Sequence, residues 1–485
     1  MLSALILIPL IGAIVIGIYP ADREGKASRT LATLCAIASL LVNIYLGTQF
    51  NREVSGFQFN EFLPWLEWMG LNYNLGIDGL SFPLVCLNSL LTLIAIVVTD
   101  KSQERPRLYY SMLLLLSAGA VGAFLAKDLL LFFLFYELEI IPLYFLIAIW
   151  GGKRRGYAAM KFLLYTAFSG ILVLASFLGL AWLTGSSDFA YESLRSHNLP
   201  LGSQLLLIAP LLVGVFIKIP IFPFHTWLPD AHVEASTPIS VLLAGVLLKL
   251  GTYALLRFGL GLYLHAWAEL APWMAILAGI SALYGASCAI AQKDMKKVVA
   301  YSSIAHMAYI LLGASATTRL SITACVFQMV SHGLISAMLF LIVGVVYKKT
   351  GTRDVESLRG LLNPEKGLPV TGGLMILGIM ASSGLPGMVG FISEFLVFRG
   401  AFPIFPIPTL LCLVGTGLTA VYFLLVVNKV FFGRLTDSLA NLPPVKWVEH
   451  TPAFALLFLI ISFGIQPAWV IQWSEIQATA LLTGG

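Results

Sequence analysis

The sequence predicts an all-α, polytopic membrane protein of about fourteen transmembrane helices, containing two inverted five-helix repeats whose helices seven and twelve are broken. Three observations predict it: apolar runs of bilayer-spanning length, an alternation of basic residues from loop to loop, and prolines at matching positions of two spans. With 59% hydrophobic and 11% charged residues, the chain lies far from the roughly 25% charged content of a soluble domain. The net charge of +5 does not point to nucleic acid, because no basic stretch interleaved with aromatics stands outside the apolar segments.

Each apolar run is of the order of the ~20 residues that cross a hydrocarbon core. The spans fall near 2–20, 28–47, 78–98, 108–126, 129–150, 158–184, 203–227, 238–258, 270–291, 298–315, 320–347, 368–400, 406–432 and 453–473. The first run lacks a basic leader and a small-residue cleavage site, so it reads as a spanning helix rather than a removed signal. The longest connection, 48–77, carries the aromatic-rich FNEFLPWLEWMG, a composition suited to the membrane interface. After Val470 only a short tail is expected.

Lys and Arg concentrate in loops after odd-numbered spans, such as Arg23, Lys26 and Arg29, then Lys153, Arg154 and Arg155, then Lys293, Lys296 and Lys297. Loops after even-numbered spans hold one basic residue apiece: Arg52, Lys127, Arg195, Arg257, Arg319 and Arg399. The bias places the odd loops on the cytoplasmic side and both termini opposite. The resulting organisation is 1–107 for the first three helices, 108–258 for the first five-helix repeat, 259–433 for its inverted partner, and 434–485 for a loop and the last helix.

Span seven contains IKIPIFPFHTWLP and span twelve contains SSGLPGMVGF. Proline removes a backbone donor, and in lipid the freed groups must be met by neighbours or water, so a broken helix borders a polar cavity. Each break sits fourth in its run of five spans, and an offset of five reverses direction through the membrane, as in the inverted repeats of transporters.

Four ionisable residues fall within apolar spans: Glu137, Lys218, Lys249 and Glu394. Each costs about 2.5 to 3.5 kcal/mol at mid-membrane if uncompensated, so pairing or hydration is required. Glu137 and Lys218 match in sign and share a repeat, which makes them the expected ion pair; Glu139, two residues on, faces elsewhere on a continuous helix. A lysine whose proton affinity depends on whether a carboxylate is near is the physical requirement of a proton relay. His225 and His232 flank the first break, and His306 and His332 lie in spans ten and eleven, where a neutral imidazole can accept and donate in one wire. A haem held by His306 and His332 is the competing use of those two rings. The five cysteines stand singly, with no C-x-x-C pair, and no nucleotide-binding glycine motif or metal-ligand spacing is present.

At NLGIDGLSFPL, YELEIIPLYFLIAIWGGKRR, KIPIFPFHTWLPDAHVEASTPISVLLAGVLLKLGTYALLRF, DMKKVVAYSSIAHMAYILLG, QMVSHGLISAMLFLIVG and LPGMVGFISEFLVF the chain resembles the antiporter-like subunit called chain 4 of respiratory complex I and its photosynthetic relatives. The resemblance covers nearly all the spans. It implies that Glu137 and Lys218 are a switching ion pair, Lys249 the central proton carrier and Glu394 the exit-side acid, with His225, His306 and His332 connecting them. It also implies no cofactor in this chain. The complex would use iron–sulfur clusters and a quinone, with NAD(P)H or ferredoxin as donor, and the partners would be other antiporter-like membrane subunits and a hydrophilic iron–sulfur arm. The wording WGGKRR and IFPFHTWLPDAH is similar to cyanobacterial and plastid members that reduce plastoquinone in the thylakoid, with a bacterial inner membrane as the alternative location. The basic loop 348–366 is the kind of departure that would mark a specialised isoform, such as that of a carbon dioxide uptake complex. A cation/proton antiporter subunit of the Mrp type is the alternative function, and a scaffold whose charges only fix assembly is a third.

Overall fold

The structure, a computed structural model, describes all residues except 20, 21, 23, 196, 198 and 483–485. Arg23 of the basic-loop alternation and the terminal Gly485 therefore lie outside the described residues. In chain order the elements are α1 (Leu2–Ile18), α2 (Lys26–Gln49), β1 (Gln58–Leu66), β2 (Leu71–Ile77), α3 (Phe82–Val98), α4 (Pro106–Leu125), α5 (Leu129–Leu138), α6 (Ile140–Trp150), α7 (Arg155–Thr184), α8 (Tyr191–Arg195), α9 (Leu201–Lys218) and α10 (Trp227–Glu234). Next come α11 (Thr237–Leu242), α12 (Leu248–Ala254), α13 (Leu264–Ile290), α14 (Met295–Ala316), α15 (Arg319–Thr350), α16 (Pro369–Ser382), α17 (Val389–Ala401), α18 (Pro406–Val426), α19 (Trp447–Ile465) and α20 (Ala468–Leu482).

Among the described residues, eleven helices are long and apolar enough to cross a membrane, counting α5 with α6 and α11 through Leu260 as single helices. Three shorter apolar helices, α1, α3 and α16, fall within the first, third and twelfth predicted spans, α16 covering only the first part of the twelfth. The innermost helix is Thr237–Leu260, buried throughout from Pro238 to Leu260.

Both predicted breaks are present. After α9 the chain turns through Ile219–Thr226, where Pro220 and Pro223 cannot donate to a helix ladder. The freed groups are met locally: Trp227 Nε1 donates to the Ile217 carbonyl at 2.8 Å, and the Phe222 amide donates to Ser281 Oγ at 3.2 Å. Between α16 and α17 the break uses Gly384 and Gly387 with φ of +74° and +92°, values a β-carbon resists, on either side of Pro386. A third break, not anticipated, divides span five at Glu139. Pro142 lies four residues after Leu138 and cannot return a hydrogen bond to its carbonyl, so the helix opens there.

Four other expectations are corrected. The 48–77 connection folds as an antiparallel β1–β2 hairpin, the one sheet among the described residues. Span fourteen starts earlier and ends at Ile465, because Gln466 precedes Pro467 and leaves the helical region (φ −124°, ψ 71°). Beyond it the chain forms α20 rather than a short tail. Arg257, counted as a loop residue, is instead buried within a helix.

The loops sort by contact as the basic residues sorted them by sequence. Helix α20 meets three even-numbered loops, through Arg52 to Gln472 (3.1 Å), Arg319 to Glu475 (3.0 Å) and Arg195 to the Ala480 carbonyl (2.9 Å). Contacts between odd-numbered loops include Lys348 with Asp100 and Arg154 N with Glu234 (2.8 Å).

Candidate functional site

Lys218 is the last residue of α9, set there by the proline break beyond it. Its ammonium pairs with Glu139 Oε1, and both side chains are fully buried. The expected pairing with Glu137 is thus corrected. Periodicity on an unbroken helix placed Glu139 away from the lysine, but the hydrogen-bond ladder is interrupted at Glu139, where α5 gives way to α6, and its carboxylate reaches the ammonium. Glu137 remains an electrostatic neighbour of Lys218, with its carboxylate against the bare backbone of Gly170 in α7. The Lys218 ammonium also sits 4.0 Å from the Tyr136 ring centroid. Beyond each other, neither Lys218 Nζ nor the Glu139 oxygens has a hydrogen-bonding partner among the described residues. Glu137 Oε1 has none either.

The second cluster is a row. Lys249 lies in α12 between two π-helical turns, Leu243–Leu247 and Leu255–Leu260, of the kind that gather at functional sites. Its ammonium donates to the Ala244 carbonyl at 2.5 Å and meets His332 Nδ1 of α15 at 2.7 Å. That approach depends on two facing glycines: a β-carbon at Gly333 would sit 3.3 Å from the Gly245 carbonyl, and one at Gly245 would strike Leu91. From His332 the next ring, His306 of α14, is 5.8 Å away between centroids. His306 Nδ1 lies 2.7 Å from the Ser302 carbonyl, and Nε2 lies 3.2 Å from both the Ser382 carbonyl and Glu394 Oε1. Thr416 Oγ1 donates to Glu394 Oε2 at 3.1 Å, completing a path from Lys249 to the second broken helix. With both ring nitrogens of His306 on protein oxygens, the haem reading fails.

A cavity of about 10 Å³ lies against this row, lined by His306, His332, Glu394, Gln328, Ser331 and Ser382 among others. That is room for about one water. Gln328 Oε1, Ser331 Oγ and His332 Nε2 border it without hydrogen-bonding partners among the described residues. A buried polar atom without a partner costs about 1 to 3 kcal/mol, so three around one small space specify a polar occupant. Chemically, His332 can accept a proton at Nδ1 from Lys249 and release one at Nε2 toward the cavity.

The chain matches the family described as NADH:quinone oxidoreductase/Mrp antiporter, TM, over residues 126–419. NAD(P)H-quinone oxidoreductase chain 4 3 of Trichormus variabilis is 40% identical, covering 99% of this chain and 91% of that protein. The chain belongs to this family. A chain of respiratory complex I from Thermus thermophilus with bound NADH is 28% identical and superposes with a TM-score of 0.89, covering 100% of both chains. A chain of the Mrp complex from Dietzia sp. shares the fold, with 20% identity, a TM-score of 0.88, and coverage of 99% of this chain and 97% of that one.

Within the family's matched stretch lie Glu137, Glu139, Lys218, Lys249, His306, His332 and Glu394. His225 does not join the row; it sits in the first break with its ring 5.0 Å from that of Tyr284. His232 is fully buried, stacked on Phe340 at 4.5 Å, and counts Lys249 and Lys296 among its electrostatic neighbours, so it is the better placed of the two. Sequence reasoning also missed Asp78 and Arg257, a second buried ion pair. The signal for Arg257 was present: apolar residues stand on both sides of it in YALLRFGL. No group of three or more His, Cys, Asp or Glu among the described residues is arranged to hold a metal ion.

Proposed function

We propose that this chain is a proton-translocating membrane subunit of a multisubunit NAD(P)H or ferredoxin:quinone oxidoreductase, coupling quinone reduction in other subunits to proton movement through its buried row. The observation that carries the reading is the buried row of Lys249, His332, His306 and Glu394, hydrogen-bonded at each end and with its two rings 5.8 Å apart beside a water-sized cavity, inside a helix bundle of membrane-spanning composition. A buried base, two imidazoles and an acid are groups that gain and lose protons, and no part of the row resembles a redox or hydrolytic centre.

In this reading Lys249 is the central carrier and Glu394 the exit acid. Lys218 switches its charge between Glu139 and Glu137, and His225 and His232 belong to the approach from the first break. Residues 108–258 and 259–433 act as inverted halves, flanked by 1–107 and 434–485. The partners are antiporter-like membrane subunits and an iron–sulfur arm that passes electrons from NAD(P)H or ferredoxin to plastoquinone. The thylakoid membrane of a cyanobacterium is the location that the relative's source supports.

The test is proton pumping by the whole complex in sealed vesicles. Lys249→Ala removes a costly charge and leaves the complex assembled, yet abolishes pumping; Lys249→Arg keeps the charge, cannot release its proton, and fails as well. Normal pumping by the arginine variant would make Lys249 structural. Sodium-dependent transport by a preparation without redox partners would favour the Mrp-type reading, which the family description also includes.

A further inference from the structure

Away from the row, α1 and α4 border an open, mostly apolar groove of about 710 Å³ whose lining also includes Asp22, Arg105 and Arg107. The two helices are locked by Ser111 Oγ donating to the Ala13 carbonyl at 2.5 Å, so one wall of the groove is fixed. Leu10, Ile14, Met112 and Leu115 form its body. Beside it Ile11, Ile14 and Ile18 are 53%, 56% and 77% exposed, which in a membrane-spanning helix means contact with lipid or with another apolar surface.

The mouth is basic. Arg105 and Arg107 line it and are exposed, on the side that the alternation of basic loops assigns to the cytoplasm. Arg107 spends one nitrogen on the Tyr19 carbonyl at 2.5 Å, while the Arg105 guanidinium has no ion pair or hydrogen bond among the described residues. Asp22, the acid at the mouth, accepts from the Ser28 amide at 2.7 Å and so is engaged with the start of α2. An apolar channel with two available guanidinium groups at its membrane-surface end complements one molecule class: an amphiphile with an acyl chain and an anionic headgroup. A neighbouring subunit's helix would fill the body but would leave the arginines unmatched unless it also brought acid to the mouth.

We propose that the α1/α4 groove is a specific site for one anionic phospholipid, its acyl chain along Ile14 and Leu115 and its phosphate between Arg105 and Arg107. This site is independent of the proton row. It is tested by placing a photo-crosslinking side chain at Ile14 in the otherwise unchanged complex, reconstituted with phosphatidylglycerol or with neutral phosphatidylcholine. The expected result is a lipid adduct in phosphatidylglycerol that falls about tenfold in phosphatidylcholine, and is lost in phosphatidylglycerol when Arg105→Gln and Arg107→Gln are combined. An adduct to a protein subunit, or a lipid adduct of equal yield in both lipids or in the double variant, would overturn the proposal. Because the crosslinker is also read with both arginines intact, a failure of the double variant to assemble leaves the test decisive.

Discussion

Among the described residues two fully buried pairs join a lysine or arginine to a carboxylate, and they are built differently. Asp78 and Arg257 are saturated. Arg257 Nε donates to Tyr253 Oη at 3.2 Å, and its guanidinium lies 4.7 Å from the Phe57 ring and 5.4 Å from that of Tyr191. Asp78 accepts from the amides of Leu80 and Ser81, both at 3.1 Å, at the start of α3. The pair thereby ties the hairpin, α3 and the innermost helix together. Glu139 and Lys218 have only each other, the face of Tyr136, and the second carboxylate of Glu137 nearby. A saturated pair has nothing to gain by opening. A bare one, with an alternative acid beside it, exchanges partners at low cost, which is the property a charge switch needs. Burial alone therefore does not distinguish structure from mechanism; saturation does.

The comparison breaks most visibly in stability. Asp78→Asn strands an arginine that cannot shed its proton, at a cost of about 3 to 5 kcal/mol. The assembled complex should fall sharply in abundance and in thermal-inactivation temperature. Should Asp78→Asn assemble and withstand heat like the parent, the saturated pair is not the structural latch described.

Glu139→Gln sharpens the contrast. It strands a lysine, which escapes the same penalty by releasing its proton or turning to Glu137. The complex should assemble, with a stability loss clearly smaller than that of Asp78→Asn, and pumping should fail because the switch has lost one position. Lys218→Arg should likewise assemble and not pump. Pumping at the parent rate in Glu139→Gln would show that the contact seen with Glu139 is incidental.

The membrane helices were legible because each must hold an apolar run, and the two anticipated breaks because Pro220 and Pro223 stand three residues apart and Pro386 stands between glycines, whereas single prolines such as Pro210 and Pro272 are carried inside continuous helices. Lys249, His306, His332 and Glu394 were legible for the related reason that titratable groups in lipid need a cause. What could not be read depends on register. The partner of Lys218 turned on a break that Pro142 sets at Glu139, and the reach of Lys249 to His332 depends on π turns and on Gly245 facing Gly333. Neither a π turn nor a facing pair of glycines leaves a periodic trace in sequence. Helix α20 and the hairpin were missed because they are held by tertiary contacts such as Trp473 on Phe82, 4.7 Å between centroids, more than by local pattern.

The smallest effect concerns Thr416, which touches the end of the row without itself being a proton carrier. Its hydroxyl donates to Glu394 Oε2 while His306 addresses Oε1, so the two hold opposite oxygens of one carboxylate. Thr416→Val keeps the side chain's shape and deletes only the donor, removing a hydrogen bond to a charged group worth about 1.5 to 3 kcal/mol. Glu394 retains its contact with His306, so the row stays continuous. If about half of that energy is felt in the rate-limiting step, pumping slows by about tenfold or less, since each 1.36 kcal/mol of barrier is a factor of ten. Thr416→Ser restores the donor and should restore the rate. Electron transfer and pumping are measured together in sealed vesicles. Loss of pumping as complete as in Lys249→Ala would place Thr416 in the proton path, whereas an unchanged rate would mean that His306 alone holds the exit acid.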